Sequence, residues 1–154
     1  MRIRTFLAIE CSEAVQSEIY AISELLKAQT SAFRWVRQEN LHLTIRFLGF
    51  VEESKISKIE ASLREFVFAI TSFKLSFACI GGFPSMQNPR VLWIGAEEGK
   101  EACSNLKALV DQSLVSFGFP KESEEFIPHV TIARIKDQKP SAFLLENPIL
   151  SVSM

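Results

Sequence analysis

The sequence predicts an α+β fold of two pseudo-symmetric lobes, each an antiparallel-rich sheet with its helices outside, facing each other across a central cleft. Three observations predict it. Strand-like and helix-like stretches follow one another as β-α-β-β and then α-β-β-α-β, with no linker or low-complexity segment between them. The tetrapeptide His-x-Thr-Ile occurs twice, as His42-Leu43-Thr44-Ile45 and His129-Val130-Thr131-Ile132, and these hold the only two histidines of the 154 residues. Both copies lie among β-branched and bulky apolar residues, at similar places in the two halves, so both read as strands.

Arg2–Glu10 has apolar residues at both parities and reads as a strand buried on two faces. Ser12 is placed to cap a helix from Glu13 to about Lys27, with Val15, Ile19, Ile22 and Leu26 on one stripe. Phe33–Val36 reads as a short strand and Gln38–Asn40 as a turn. The first motif strand, Leu41–Leu48, is closed by Gly49. Ser54 is placed to cap the next helix, whose stripe is Ile56, Ile59, Leu63, Phe66, Val67 and Ile70. Phe73–Ile80 alternates like a half-buried strand, and the punctuation of 81–89 marks a loop. Arg90–Ala96 is a strand with apolar residues on both faces. A helix then carries Cys103, Leu106, Leu109, Val110, Leu114 and Phe117 and ends at Gly118. The second motif strand is read over Phe126–Lys136, with Pro128 at its start or at an edge, because proline cannot donate to the ladder. A last strand is read at Ile149–Ser153.

A chain of this length fits one compact domain. The formal net charge of −1, with no long run of one sign, argues against coating long duplexes and leaves a short or terminal piece of nucleic acid as a partner. Cys11, Cys79 and Cys103 are odd in number and scattered, which predicts a reducing, cytoplasmic setting rather than a disulfide framework or a zinc site. No apolar run is long enough to span a bilayer, and no membrane partner is expected.

The chemistry follows from the period of a strand. Side chains at i and i+2 share a face, so His42 lies beside Thr44 and His129 beside Thr131, while Leu43, Ile45, Val130 and Ile132 turn to the core. Each pair joins a group that titrates near neutrality to a neutral hydroxyl donor. A lone strand histidine is more often structural; two in one repeated tetrapeptide shift the balance to catalysis. Asp and Glu are absent from both motif strands, and a catalytic zinc normally takes three protein ligands, so no metal is expected. There is no glycine-rich phosphate loop and no nucleophile elbow. The remaining reading is metal-free acid–base chemistry at phosphorus. Two histidines on facing strands supply an acid and a base on opposite sides of an in-line displacement, with the Thr44 and Thr131 hydroxyls binding non-bridging oxygens. Arg46 has the parity to face the cleft; its competing reading is a solvated charge at a strand end. Phe83 and Phe126 are candidates to stack on a base, with core packing as the competing reading for each.

These residues resemble the 2H phosphoesterase superfamily, and within it the RNA 2′,3′-cyclic phosphodiesterases, also called 2′-5′ RNA ligases. Beyond the two motifs, the resemblance is carried by Arg4-Thr5-Phe6-Leu7-Ala8-Ile9, Trp35-Val36, Asn40-Leu41, Phe47-Leu48-Gly49, Gly82-Phe83-Pro84, Arg90–Gly95 and Phe126–Arg134, and it spans about residues 2–135. It implies the bilobal 2H phosphoesterase fold with a pseudo-twofold axis, no cofactor, and hydrolysis of RNA 2′,3′-cyclic phosphate ends to 2′-phosphates. It implies His42 as proton donor to the 3′ leaving oxygen and His129 as the base that activates water. Arg134 matches an arginine that binds phosphate in the family, although strand parity alone turns it away from His129 unless the strand bulges. The reverse reaction accounts for the ligase name. Short RNA, or RNA ends bearing a 2′,3′-cyclic phosphate, are the expected partners, and a monomer is the expected state. The chain reads as a single domain, 1–154, lacking the family's usual C-terminal strand or strands, an expectation that bears on stability. Two other readings stay open: a 2H esterase acting on another small cyclic phosphate, and an idle module that binds RNA ends.

Overall fold

The computed structural model describes residues 1–136 together with the backbone of Val152–Ser153. The elements run β1 (Arg2–Glu10), α1 (Glu13–Lys27), β2 (Phe33–Trp35), β3 (His42–Glu52), α2 (Glu53–Val67), β4 (Ser76–Phe83), β5 (Val91–Ala96), α3 (Lys100–Leu114), β6 (His129–Ile135) and β7 (Val152–Ser153), with short 3-10 turns at Gln38–Asn40 and Val115–Phe117. All strand pairs are antiparallel, in the order β1-β3-β6-β5-β4-β7, with β2 also on β6. The α+β expectation is therefore met, with a specific junction between the halves. β1 pairs with β3 along its length and β5 with β6 over most of theirs, but β3 and β6 meet at one bridge, Leu43 to Val130. The two halves of this one seven-stranded sheet thus meet at the centre of the two motifs, with β2 crossing to pair with β6.

The core follows from the apolar stripes. Val15, Ile19, Ile22 and Leu26 of α1 are buried, and the Ser12 hydroxyl accepts from the Val15 amide as an N-cap should. α1 packs on β2 and β6, while α3 packs on β3 and α2. Each of these helices thus covers the motif strand of the other half. Leu43, Val130 and Ile132 are fully buried beneath them. Buried Cys11 and Cys103 have thiol pKa values pushed up to about 11 by desolvation, as expected of inert core thiols, and the three cysteines are free.

Several boundaries differ from the sequence expectations. β1 is an edge strand with Ile3 and Phe6 exposed, not one buried on both faces. β3 does not close at Gly49 but runs to Glu52, because Gly49 takes φ +70° at a register shift and lets the pairing with β1 continue to Arg2. α2 then starts at once from Glu52, so Ser54 lies within the helix and caps nothing. β4 begins at Ser76, after the alternation of Phe73 and Leu75, and includes Gly81, Gly82 and Phe83. Those glycines are strand residues because the Trp93 ring lies over Gly81, where a β-carbon would collide with it. β6 starts at His129; Pro128 precedes it, accepting from the Ala96 amide. The 3-10 turn after α3 ends at Gly118 as expected. Of the final strand, Val152–Ser153 pairs with β4, and 149–151 lie outside the described residues.

Candidate active site

Leu43 and Val130 face each other at the single bridge, both pointing into the core. Their neighbours along each strand must point to the opposite face. Extending the register by one position sets His42 across from Thr131 and Thr44 across from His129. The histidines stand on the diagonal, where a regular antiparallel pair spaces its β-carbons by about 7–8 Å. That leaves room for a tetrahedral phosphorus between two imidazoles. All four side chains are half-buried.

The two rings are held alike. His42 Nδ1 lies 2.7 Å from the carbonyl of Asn40, and His129 Nδ1 lies 2.5 Å from the carbonyl of Ile127. A carbonyl only accepts, so Nδ1 is the protonated nitrogen in each ring and Nε2 is the one left for chemistry. Phe6 stacks on His42 at 4.9 Å and 23°. Phe83 meets His129 edge-on at 5.0 Å, and Trp93 lies 5.6 Å from it. Burial under these rings lowers the pKa of His129. Its backbone hydrogen bond opposes this, and the charge of Arg134 lowers it further. His129 is thus kept neutral, with its Nε2 lone pair open.

Both motif strands carry a bulge at the same place. Leu7 pairs with Arg46 and Ala8 with Thr44, which leaves Ile45 extra; Leu92 pairs with Ala133 and Trp93 with Thr131, which leaves Ile132 extra. The extra residue reverses parity beyond it. Arg134 is therefore returned to the cleft, where it lines a cavity of about 330 Å³ with His42, Thr44 and Thr131. The same bulge turns Arg46 away, so its parity-based placement in the cleft is corrected. Arg46 is 6% exposed. It bonds Asp111 Oδ1 of α3 at 2.7 Å and the Pro120 carbonyl at 2.7 Å, with Glu122 at 3.5 Å from its Nε. Phe47 takes the cleft position instead.

Phe83 is at the site, but as packing for His129 and Trp93. Phe126 packs against the core, with Lys107 Nζ 6.0 Å from its ring centre, and is not among the residues lining the cavity. Reading residues singly missed Arg4, Phe6, Val36, Asn40 and Phe47, which complete the lining. Aligning the repeats would have found Phe47, since it stands five residues after His42 as Arg134 does after His129. Among the described residues, no group of three or more His, Cys, Asp or Glu is placed to hold a metal ion.

Residues 9–93 and 94–146 match the family model for LigT-like phosphoesterases. A curated protein named RNA 2′,3′-cyclic phosphodiesterase from Methanothermobacter thermautotrophicus is 34% identical over 136 residues, covering 88% of this chain and 73% of that one. A protein of the same name from Thermotoga maritima is 38% identical over 134 residues, covering 87% and 71%. Among solved structures, a Thermus thermophilus protein superposes with a TM-score of 0.84 at 22% identity, covering 99% of this chain and 83% of that one. E. coli LigT in its apo form superposes with a TM-score of 0.74 at 23% identity, with the same coverage.

Proposed function

The chain belongs to the LigT-like phosphoesterase family, and from that premise we propose that it hydrolyses RNA 2′,3′-cyclic phosphate ends to 2′-phosphates by a two-histidine acid–base mechanism. The observation that carries the reading is the matched pair of histidines, each with Nδ1–H committed to a carbonyl two residues back and Nε2 free.

His129 takes the base role because burial and Arg134 hold it neutral. Its Nε2 removes a proton from water as the oxygen attacks phosphorus. The P–O3′ bond breaks on the far side, and His42 gives its Nε2 proton to the departing O3′. The product is a 2′-phosphate with a free 3′-hydroxyl. His129 leaves the cycle protonated and His42 neutral, and exchange with solvent restores both. The Thr44 and Thr131 hydroxyls donate to the non-bridging oxygens, where charge builds, and Arg134 offsets that charge. Reversal exchanges the roles: His42 activates the attacking hydroxyl and His129 protonates the departing oxygen. With a 5′-hydroxyl end in place of water, the forward step is 2′-5′ ligation: His129 takes the proton of the attacking 5′-hydroxyl, P–O3′ breaks with His42 as the acid, and a 2′-5′ linkage with a free 3′-hydroxyl results. The exchanged roles cleave that linkage. Short RNA and RNA ends are the substrates this chemistry takes.

Incubating the protein with a short RNA ending in a 2′,3′-cyclic phosphate, in excess chelator, tests the reading. A 2′-phosphate end is the expected product. A 3′-phosphate, or no turnover while another small cyclic phosphate is opened, would overturn the substrate or the regiochemistry.

A further inference from the structure

We propose that the sheet face beyond the cleft, carried by Arg4 and Phe50 next to Phe47, binds the nucleotide upstream of the reactive end, so that the protein selects a single-stranded RNA chain over a mononucleoside cyclic phosphate. This rests on the phosphodiesterase reading and deepens it.

Directly paired residues of an antiparallel ladder share a face. Phe6 pairs with Phe47, and Arg4 with Phe50. Going outward from His42, the cleft face therefore presents Phe6 and Phe47, then Arg4 and Phe50 about 7 Å further along the strand. Phe6, Phe47 and Phe50 are 44%, 56% and 64% exposed. Three large aromatics on one strand pair facing water make a surface suited to stacked bases, since every base offers a π-face.

Charge sets the direction. Arg4 lines the cavity and makes no ion pair among the described residues, whereas its neighbour Arg2 is held by Glu52 and the Phe50 carbonyl. The opposite flank of His42 opens on Glu10, Glu13 and Glu39, of which, among the described residues, only Glu39 is ion-paired, to Arg37. A phosphate chain is repelled there and attracted toward Arg4. The repeat is asymmetric in the same sense. Arg134 and Phe47 hold equivalent positions, so the second half offers a cation to the reacting phosphate and the first half offers a ring. A cavity of about 330 Å³ is at the small end for a ligand site and suits the terminal nucleotide. Arg4 and Phe47 line it and Phe50 does not, so the next nucleotide follows past them onto Phe50, with Arg4 between the two.

The test compares kcat/KM for a mononucleoside 2′,3′-cyclic phosphate and for a dinucleotide with the same cyclic end. The parent is expected to favour the dinucleotide by about tenfold, the effect of one stacked base. Arg4→Gln should lower that ratio and reduce the log–log salt dependence for the dinucleotide by about 0.7, the loss of one phosphate contact. Phe50→Ala should lower the ratio without changing the salt dependence. A parent that hydrolyses both substrates equally well would overturn the upstream site and leave the phosphodiesterase reading standing, as would variants that lose both activities in equal measure. Self-association of the parent that Phe50→Ala abolishes, with an unchanged substrate ratio, would overturn it too and assign the face to a second copy of the chain. Hydrolysis of neither substrate would overturn the reading itself and the site with it.

Discussion

At the scale of single residues, the site depends on what surrounds two imidazoles that are otherwise alike. Both Nδ1 atoms donate to a carbonyl two residues back, so the hydrogen bonds alone do not separate acid from base. The surroundings do. His42 has one ring stacked on it, while His129 packs against both Phe83 and Trp93 and faces the charge of Arg134. Desolvation and a nearby cation both disfavour imidazolium, so His129 stays a free base to lower pH than an ordinary histidine. The acid limb of the pH–rate profile should accordingly lie below the usual histidine range. Arg134→Ala removes the charge that lowers His129, so that limb should move to higher pH, along with a fall in kcat from the lost phosphate contact. A profile of the variant with kcat reduced but the limb unmoved would mean that Arg134 acts on substrate alone.

At the scale of elements, the two equivalent bulges decide what reaches the cleft. They explain how an arginine out of phase with His129 comes to line the site, and how one in phase with His42 comes to be buried. The buried Arg46 belongs to a charged cluster. Lys107 Nζ bonds Asp111 at 2.8 Å and Glu122 at 2.6 Å, and Asp111 Oδ1 takes both cations. Asp111→Ala leaves Arg46 and Lys107 with the half-exposed Glu122 as their one carboxylate among the described residues, beside the Pro120 carbonyl on Arg46, and should destabilise the fold by about 3 kcal/mol, read as a lower urea midpoint. On the second half, Gly81 gives the Trp93 ring its place against His129. Gly81→Ala should cost about 1–3 kcal/mol by overpacking, and should lower kcat as Trp93 shifts; full activity would show that the ring's position is immaterial. The sequence made the α1 stripe, its Ser12 cap and the His-x-Thr faces legible, because each depends on spacing within one element. The core packing of Phe126 was legible as one of its two readings; Arg46 and the start of β4 were not legible. Their places depend on register shifts and cross-strand packing, and no single stretch of chain encodes these.

At the scale of the molecule, the two motif strands meet at one bridge and β2 crosses to pair with β6, while exchanged helices cover the halves, α1 over β6 and α3 over β3. The repeat sets two His–Thr pairs about a common centre, while the residues around it break the symmetry: Arg134 against Phe47, Ala133 against Arg46, and the two rings packed on His129 against the one on His42. That asymmetry is what the proposed mechanism uses, in which one imidazole takes a proton and the other gives one. The most direct test of this division replaces the bridging 3′ oxygen of the RNA cyclic phosphate with sulfur, a leaving group that needs no proton. Hydrolysis of the oxygen substrate should fall by about 10²–10⁴-fold in both His42→Ala and His129→Ala. On the sulfur substrate, His42→Ala should recover most of the parent's rate and His129→Ala should not. Recovery in His129→Ala instead, or in neither variant, would contradict the assignment of His42 as the acid and His129 as the base.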